Sequence, residues 1–199
     1  MRLRALAKIN LGLDILRKRE DGYHEVRMIM QTIQMYDVLE MKRVRKPGIS
    51  LSVNYSYIPN DERNLVYKAA KLLMDEFQVK GGVDIHLEKF IPVAAGMAGG
   101  SSDAAAALVG INRMFQLGLT KRQLMERGVQ IGADVPYCVM RGTALAEGIG
   151  EKLTRITQVP DCFVLIGKPG INVSTKAAYE SLQLDKISSH PDIDGMIGD

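Results

Sequence analysis

The stretch from residue 92 to residue 107 limits the fold more than any other part of the chain. Pro92-Val93-Ala94-Ala95-Gly96-Met97-Ala98-Gly99-Gly100-Ser101-Ser102-Asp103 runs straight into Ala104-Ala105-Ala106-Ala107-Leu108, a strongly helix-forming sequence. Just before it, Val83, Ile85 and Leu87 alternate with Asp84, His86 and Glu88, the period of a half-buried strand. The order is therefore strand, glycine-rich loop, helix. A helix N-terminus carries unpaired N–H groups and a partial positive charge, and glycines let a ligand approach that backbone closely. Ser101 and Ser102 add hydroxyl donors. Two readings stay open on these residues alone: a phosphate cradle, or a tight turn whose serines cap the helix. The loop is not a P-loop, because no lysine follows its last glycine, and it lacks the Gly-x-Gly-x-x-Gly dinucleotide pattern.

The rest of the chain supplies a sheet and further helices. Ile9 to Ile15 alternates as a strand, a polar turn spans Arg17 to Gly22, and a second extended stretch runs from Glu25 to about Val44. Lys46-Pro47-Gly48 is a turn signal before a strand over Ile49 to Val53. Leu65, Val66, Ala69, Ala70, Leu73 and Phe77 fall at helical spacing behind Asn64, a capping residue, and Gly81-Gly82 closes that segment. Thr120 and Gln123 form a capping box for a helix ending near Gly132. Strands are expected at Thr143 to Ala146 and Cys162 to Ile166, a helix at Thr175 to Leu184, and a boundary near Gln158 to Asp161.

With 46% apolar and 25% charged residues over 199 positions, the chain has the makeup of a globular protein with an ample core. Its net charge of +3 is too mild to announce a nucleic-acid or membrane partner and suits a small anionic ligand. One basic cluster, Lys42, Arg43, Arg45 and Lys46, reads as a solvated hairpin end. Apolar runs are too short to span a bilayer, and Arg2 and Arg4 precede no signal-type apolar core. Cys138 and Cys162 build no metal or disulfide framework, and three scattered histidines make no metal site, so a reduced, cytoplasmic chain is expected.

Four further positions could carry chemistry. Lys8, in Ala7-Lys8-Ile9-Asn10, is either a snorkelling surface lysine or a cation aimed at developing phosphoryl or alkoxide charge. Asp134, between Gly132-Ala133 and Val135-Pro136, is either a turn or cap residue or a base. Tyr23 and His24 are either surface turn residues or a pair that flanks a planar base and offers it hydrogen bonds.

Taken together, these pieces resemble the GHMP kinases. That family's loop, Pro-x-x-x-Gly-Leu-Gly-x-x-Ser-Ser, is similar to Pro92 through Ser102. Ala7-Lys8-Ile9-Asn10-Leu11, Asp21-Gly22-Tyr23-His24, the loop, Gly132-Ala133-Asp134-Val135-Pro136 and Gly148-Ile149-Gly150-Glu151 stand in the order and spacing of one branch. Its substrate is a cytidine-diphosphate sugar alcohol of the non-mevalonate isoprenoid route. The resemblance implies an α+β fold: a GHMP-kinase N-terminal domain of ribosomal-protein type with a left-handed β-α-β crossover, over residues 1–158. Residues 159–199 would be the incomplete start of a ferredoxin-like C-terminal domain.

The same resemblance implies ATP-dependent phosphorylation of the substrate's 2-hydroxyl. Lys8 and Asp134 would be catalytic. Pro92, Val93, Ala94, Ala95, Gly96, Met97, Ala98, Gly99, Gly100, Ser101 and Ser102 would bind ATP with Mg2+ bridging its phosphates. Asn10, Tyr23, His24 and Tyr179 would bind substrate. No residue is assigned as a metal ligand, and the partner is a small molecule, with a homodimer compatible and no nucleic acid or membrane involved. Other GHMP kinases, such as those acting on homoserine or mevalonate, fit less well because their substrates need no cytosine platform.

Two departures from the family pattern set further expectations. Met97 and Ala98 stand for the loop's leucine and middle glycine, which is harmless if the backbone at Ala98 keeps φ negative. The family's last third, with a further Gly-Ser-Gly-Pro-Thr type loop, has no counterpart here, and Phe163-Val164-Leu165-Ile166 would then need a neighbouring strand. The alternative expectation is accordingly a truncated, catalytically impaired nucleotide-binding remnant.

Overall fold

A computed structural model describes residues 1–170, 178–179 and 181–198. Its spine is a pair of very long antiparallel strands, β1 (Arg2–Lys18) and β2 (His24–Val44), joined at the polar turn. β1 occupies one edge of β2. The other edge is shared: β4 (Gly82–Glu88) pairs with residues 38–44 of β2, and β5 (Thr143–Gly148) pairs with residues 26–31. Residues 32–37 of β2 lie between those partners. β3 (Gly48–Val53) adds parallel to β4, and β6 (Lys152–Arg155) adds antiparallel to β5, completing a six-stranded mixed sheet.

The β3–β4 crossover runs through α1 (Leu65–Glu76). Asn64 starts this helix as its composition suggests: Oδ1 accepts from the Val66 amide at 2.9 Å while Nδ2 donates to the Pro59 carbonyl at 2.7 Å. α2 (Gly99–Met114) begins at the glycines of the loop and lays Ala104–Leu108 and Ile111 against the sheet and α1. Its small residues allow a close approach; a Cβ on Gly110 would sit 2.3 Å from the Met41 sulfur. α3 (Lys121–Gly128) carries the Thr120–Gln123 capping box in full. α4 (Val135–Met140) is wholly buried, with Pro136 in its first turn, where a missing N–H costs nothing.

Three expectations need correction. Cys162 to Ile166 forms no strand, and residues 162–169 carry no regular structure. Phe163 and Leu165 are fully exposed, because among the described residues no strand pairs with them and an unpaired strand cannot satisfy its backbone. Ala98 has φ 54° and ψ 30°, so its backbone is left-handed and the condition under which alanine would be harmless there is not met. Ser102 is the third, described with the site. Of the helix expected over Thr175 to Leu184, residues 175–177 and 180 lie outside the described residues, 178–179 are helical, and 181–183 are not. After it come a 3-10 turn at Leu184–Lys186 and a short terminal helix, Ile193–Gly198, which packs on β1 and β2.

Candidate active site

A cleft of about 1370 Å³ opens between β1, the 92–100 loop, the Asp134 turn and the β5–β6 hairpin. Pro92 through Ser101 line it continuously. Within the loop, left-handed residues alternate with right-handed or extended ones: Ala94 (φ 53°), Gly96 (φ 70°) and Ala98 (φ 54°) are the positive-φ positions. Such alternation turns successive N–H groups toward one point and builds a concave nest for an anion. Among the described residues, no amide from 93 to 98 is spent on another protein group. Gly99 and Gly100 then supply the free amides of the α2 N-terminus. The nest and the helix end therefore form one surface suited to phosphate oxygens.

The two serines part company. Ser101 lines the cleft. Ser102 is buried, and its hydroxyl donates to the Leu6 carbonyl at 2.6 Å, so it ties α2 to β1 and offers no donor to a phosphate. The Lys8 amide in turn donates to the Met97 carbonyl at 3.1 Å, fastening the loop to β1 next to the lysine.

Lys8 is buried at the cleft wall, 6% exposed, which excludes a snorkelling role. Shifts in the β1–β2 register between Leu6 and Lys8, and again between Asn10 and Gly12, bracket the Lys8–Asn10 segment. Such irregularities re-aim side chains out of the regular pleat. Lys8 Nζ donates to Asn10 Oδ1 at 3.2 Å, and it forms no ion pair among the described residues. Asp134 stands at the N-cap of α4, but its carboxylate makes no capping hydrogen bond and it lines the cleft. Both charges act on the buried Cys138 thiol, which burial, reinforced by Asp134, raises well above its ordinary value despite the opposing pull of Lys8. A cation and a carboxylate thus face one space without neutralising each other.

Tyr23, His24, Tyr179 and Ile149 of the β5–β6 turn also line the cleft. The His24 and Tyr179 rings lie 5.2 Å apart at 45°. Burial, with a contribution from the Asp134 charge, raises the Tyr179 phenol above its usual range. Glu151 holds the turn by accepting from the Ile149 amide at 2.7 Å. Tyr57, Ile58, Pro59, Asn64, Leu65 and Leu87 give the cleft a mostly apolar recess. Sequence reasoning did not assign this recess; its signal, an apolar helix start behind a capping Asn, reads equally as core. It also missed three buried charges under the loop: Asp37, Lys89 and Asp103.

A backbone anion nest opening a helix thus shares one cleft with a buried lysine and an uncapped aspartate from separate elements, and the fold that carries them is that of the GHMP kinases' N-terminal domain. The family model "GHMP kinases N terminal domain" matches residues 64–142. Within that class the chain belongs to the 4-diphosphocytidyl-2-C-methyl-D-erythritol kinase family. It is 58% identical over 197 residues to the enzyme of that name from Lachnospira eligens, covering 99% of this chain and 68% of that one. It is 56% identical over 195 residues to the one from Lachnoclostridium phytofermentans, covering 98% and 67%. A crystal structure of 4-(cytidine 5'-diphospho)-2C-methyl-D-erythritol kinase superposes over all of this chain and 70% of its own with TM-score 0.81 and 31% identity. Mevalonate kinase from Methanococcus jannaschii, at TM-score 0.62 and 16% identity, shares the fold.

Proposed function

We propose that this chain catalyses ATP-dependent phosphorylation of the 2-hydroxyl of 4-diphosphocytidyl-2-C-methyl-D-erythritol. The observation that carries the reading is the meeting of the 92–101 nest, Lys8, Asp134 and the Tyr23–His24–Tyr179 aromatic group in one cleft. The aromatic group takes the cytosine, with His24 supplying hydrogen bonds and Tyr23 and Tyr179 supplying ring faces. Asn10, held by Lys8, contacts the sugar alcohol near the reacting hydroxyl. The substrate oxygen attacks the γ-phosphorus of ATP, the bond from that phosphorus to the β-bridging oxygen breaks, and ADP leaves. Asp134 accepts the hydroxyl proton, and Lys8 stabilises the charge that grows on the transferring group.

Magnesium supplies charge neutralisation on the nucleotide's phosphates. Mg2+ is usually held by substrate phosphates with one or two carboxylates, so it would enter with the nucleotide. No helix among the described residues is long and apolar enough to cross a membrane.

Turnover in a coupled ADP assay with this substrate, magnesium and ATP tests the proposal. The parent chain is expected to turn over, and Asp134→Asn to lose about 10²- to 10⁴-fold in rate, the usual worth of a general base. Equal rates in parent and variant, or turnover of mevalonate or homoserine in preference, would remove the proposal.

A further inference from the structure

Beneath the phosphate loop lies a buried charge cluster that the reaction above leaves unused. Asp37 is 0%, Lys89 5% and Asp103 2% exposed. Lys89 Nζ donates to Asp103 Oδ2 at 2.7 Å and to Asp37 Oδ2. Asp37 Oδ1 accepts from the amides of Phe90 at 2.5 Å and Ile91 at 2.8 Å. A Cβ on Gly99 would stand 3.1 Å from Lys89 Nζ, so the ammonium sits directly under the first residue of α2.

The placement of the three groups is informative. Asp37 fills the gap on β2 that neither β4 nor β5 pairs. Lys89 and the amides of residues 90 and 91 form the entry stem of the loop, and Asp103, at the start of the second turn of α2, is its exit stem. The cluster thus ties both stems of the loop to the centre of the sheet. Buried ion clusters seldom add net stability compared with apolar residues of similar size, because desolvation offsets the attraction. Fixed geometry is what this one provides.

We infer that Asp37, Lys89 and Asp103 act as positioning residues that set the spacing of the loop's two stems, and through it the affinity for the triphosphate of the nucleotide. The inference rests on the reading of residues 92–101 as the ATP cradle. Its electrostatics are consistent. Burial raises the Asp103 carboxyl, Lys89 pulls it back, the Asp37 charge raises it again, and the balance is about 8. Asp103 Oδ1 has no partner in the fold and is the oxygen available to carry that proton. Burial alone would lower Lys89; the two carboxylates outweigh it and hold the ammonium above its ordinary value. An Asn at 103 therefore mimics the neutral acid, whereas Ala removes the acceptor.

The test is calorimetric titration of the full chain with ATP and, separately, with CDP, which probes the aromatic group in the cleft. Lys89→Met and Asp103→Ala are expected to weaken ATP binding by about 10²-fold, as displaced binding groups do, with CDP affinity unchanged. Asp103→Asn is expected to retain ATP affinity, and it reports on the inference should Lys89→Met fail to fold. Unchanged ATP affinity in folded Lys89→Met and Asp103→Ala would overturn the inference. So would parallel loss of ATP and CDP, which marks a general structural role, or loss in Asp103→Asn equal to that in Asp103→Ala. A parent chain that binds CDP but not ATP would instead refute the cradle reading, and the inference with it.

Discussion

Replacing Ala98 by glycine should stabilise the protein, and the sign of the effect separates two pictures of the loop. In the structure Ala98 is left-handed, with φ 54° and ψ 30°. A side chain in that conformation costs about 1–2 kcal/mol through the clash of Cβ with the following carbonyl. Glycine removes this strain but returns about 0.4–1 kcal/mol to the unfolded chain as backbone freedom. It also deletes a half-buried methyl that packs at the edge of the main core, worth about half of the ~0.8 kcal/mol of a fully buried one. The balance is a gain of about 0.5 kcal/mol, or about 1–2 °C in Tm for a chain this long. With a negative φ, no strain would be relieved, and the same substitution would cost about 1 kcal/mol. Urea denaturation resolves the two outcomes, read as a shift in midpoint at constant slope. A glycine variant less stable than the parent would refute the nest geometry, because Ala98 is one of the three left-handed positions that build it.

Two other predictions concern the same neighbourhood. Ser102→Ala leaves the Leu6 carbonyl without its donor and should destabilise by about 1–3 kcal/mol, with ATP affinity in the folded variant untouched; loss of ATP affinity would return Ser102 to the ligand. The second is a pH dependence set by Asp103, which faces Lys89, Asp37 and the Cys138 thiol. Its folded value of about 8 lies above its ordinary 3.8, so the native state holds a proton that the unfolded chain has released. That contribution to stability is complete below the ordinary value and is lost as pH rises toward 8, by at most about 1.4 kcal/mol per pH unit. Urea midpoints between pH 5 and 8 should therefore fall more steeply for the parent than for Asp103→Asn; equal slopes would mean that Asp103 is already ionised across that range.

Much of the fold is legible in local signals. The Asn64 cap, the Thr120–Gln123 box and the strand–loop–helix order from Val83 to Leu108 are each written in a few adjacent residues, and each forms as read. α4 and β6 were not read. Val135 to Met140 carries no polar face to set a helical period once it is wholly buried, and Lys152–Arg155 is four residues long. The strand expected at Cys162 to Ile166 shows the limit of alternation, which marks a face but cannot supply a partner.

Site legibility divides along the same line. Lys8, Asn10, Tyr23, His24, Asp134 and Tyr179 could be gathered only through a family pattern, because nothing local brings β1, the β1–β2 turn and the α4 entry together; in the structure all six line one cleft. Asp37, Lys89 and Asp103 escaped notice because each looks ordinary where it stands. Asp37 follows Tyr36 in a mixed strand, Lys89 ends an alternating run, and Asp103 resembles an acid placed for the helix dipole. The one available hint was a charged residue heading an otherwise all-alanine helix face. The conformation of Ala98 was not readable either, since an alanine does not declare a positive φ as a glycine does.

Phosphorus NMR of the complete reaction tests the central claim most directly. With parent chain, ATP, magnesium and 4-diphosphocytidyl-2-C-methyl-D-erythritol, the account predicts a new phosphomonoester resonance growing in step with ADP, and none with Asp134→Asn. Inorganic phosphate appearing in its place, or a phosphomonoester formed equally by the Asp134→Asn variant, would contradict it.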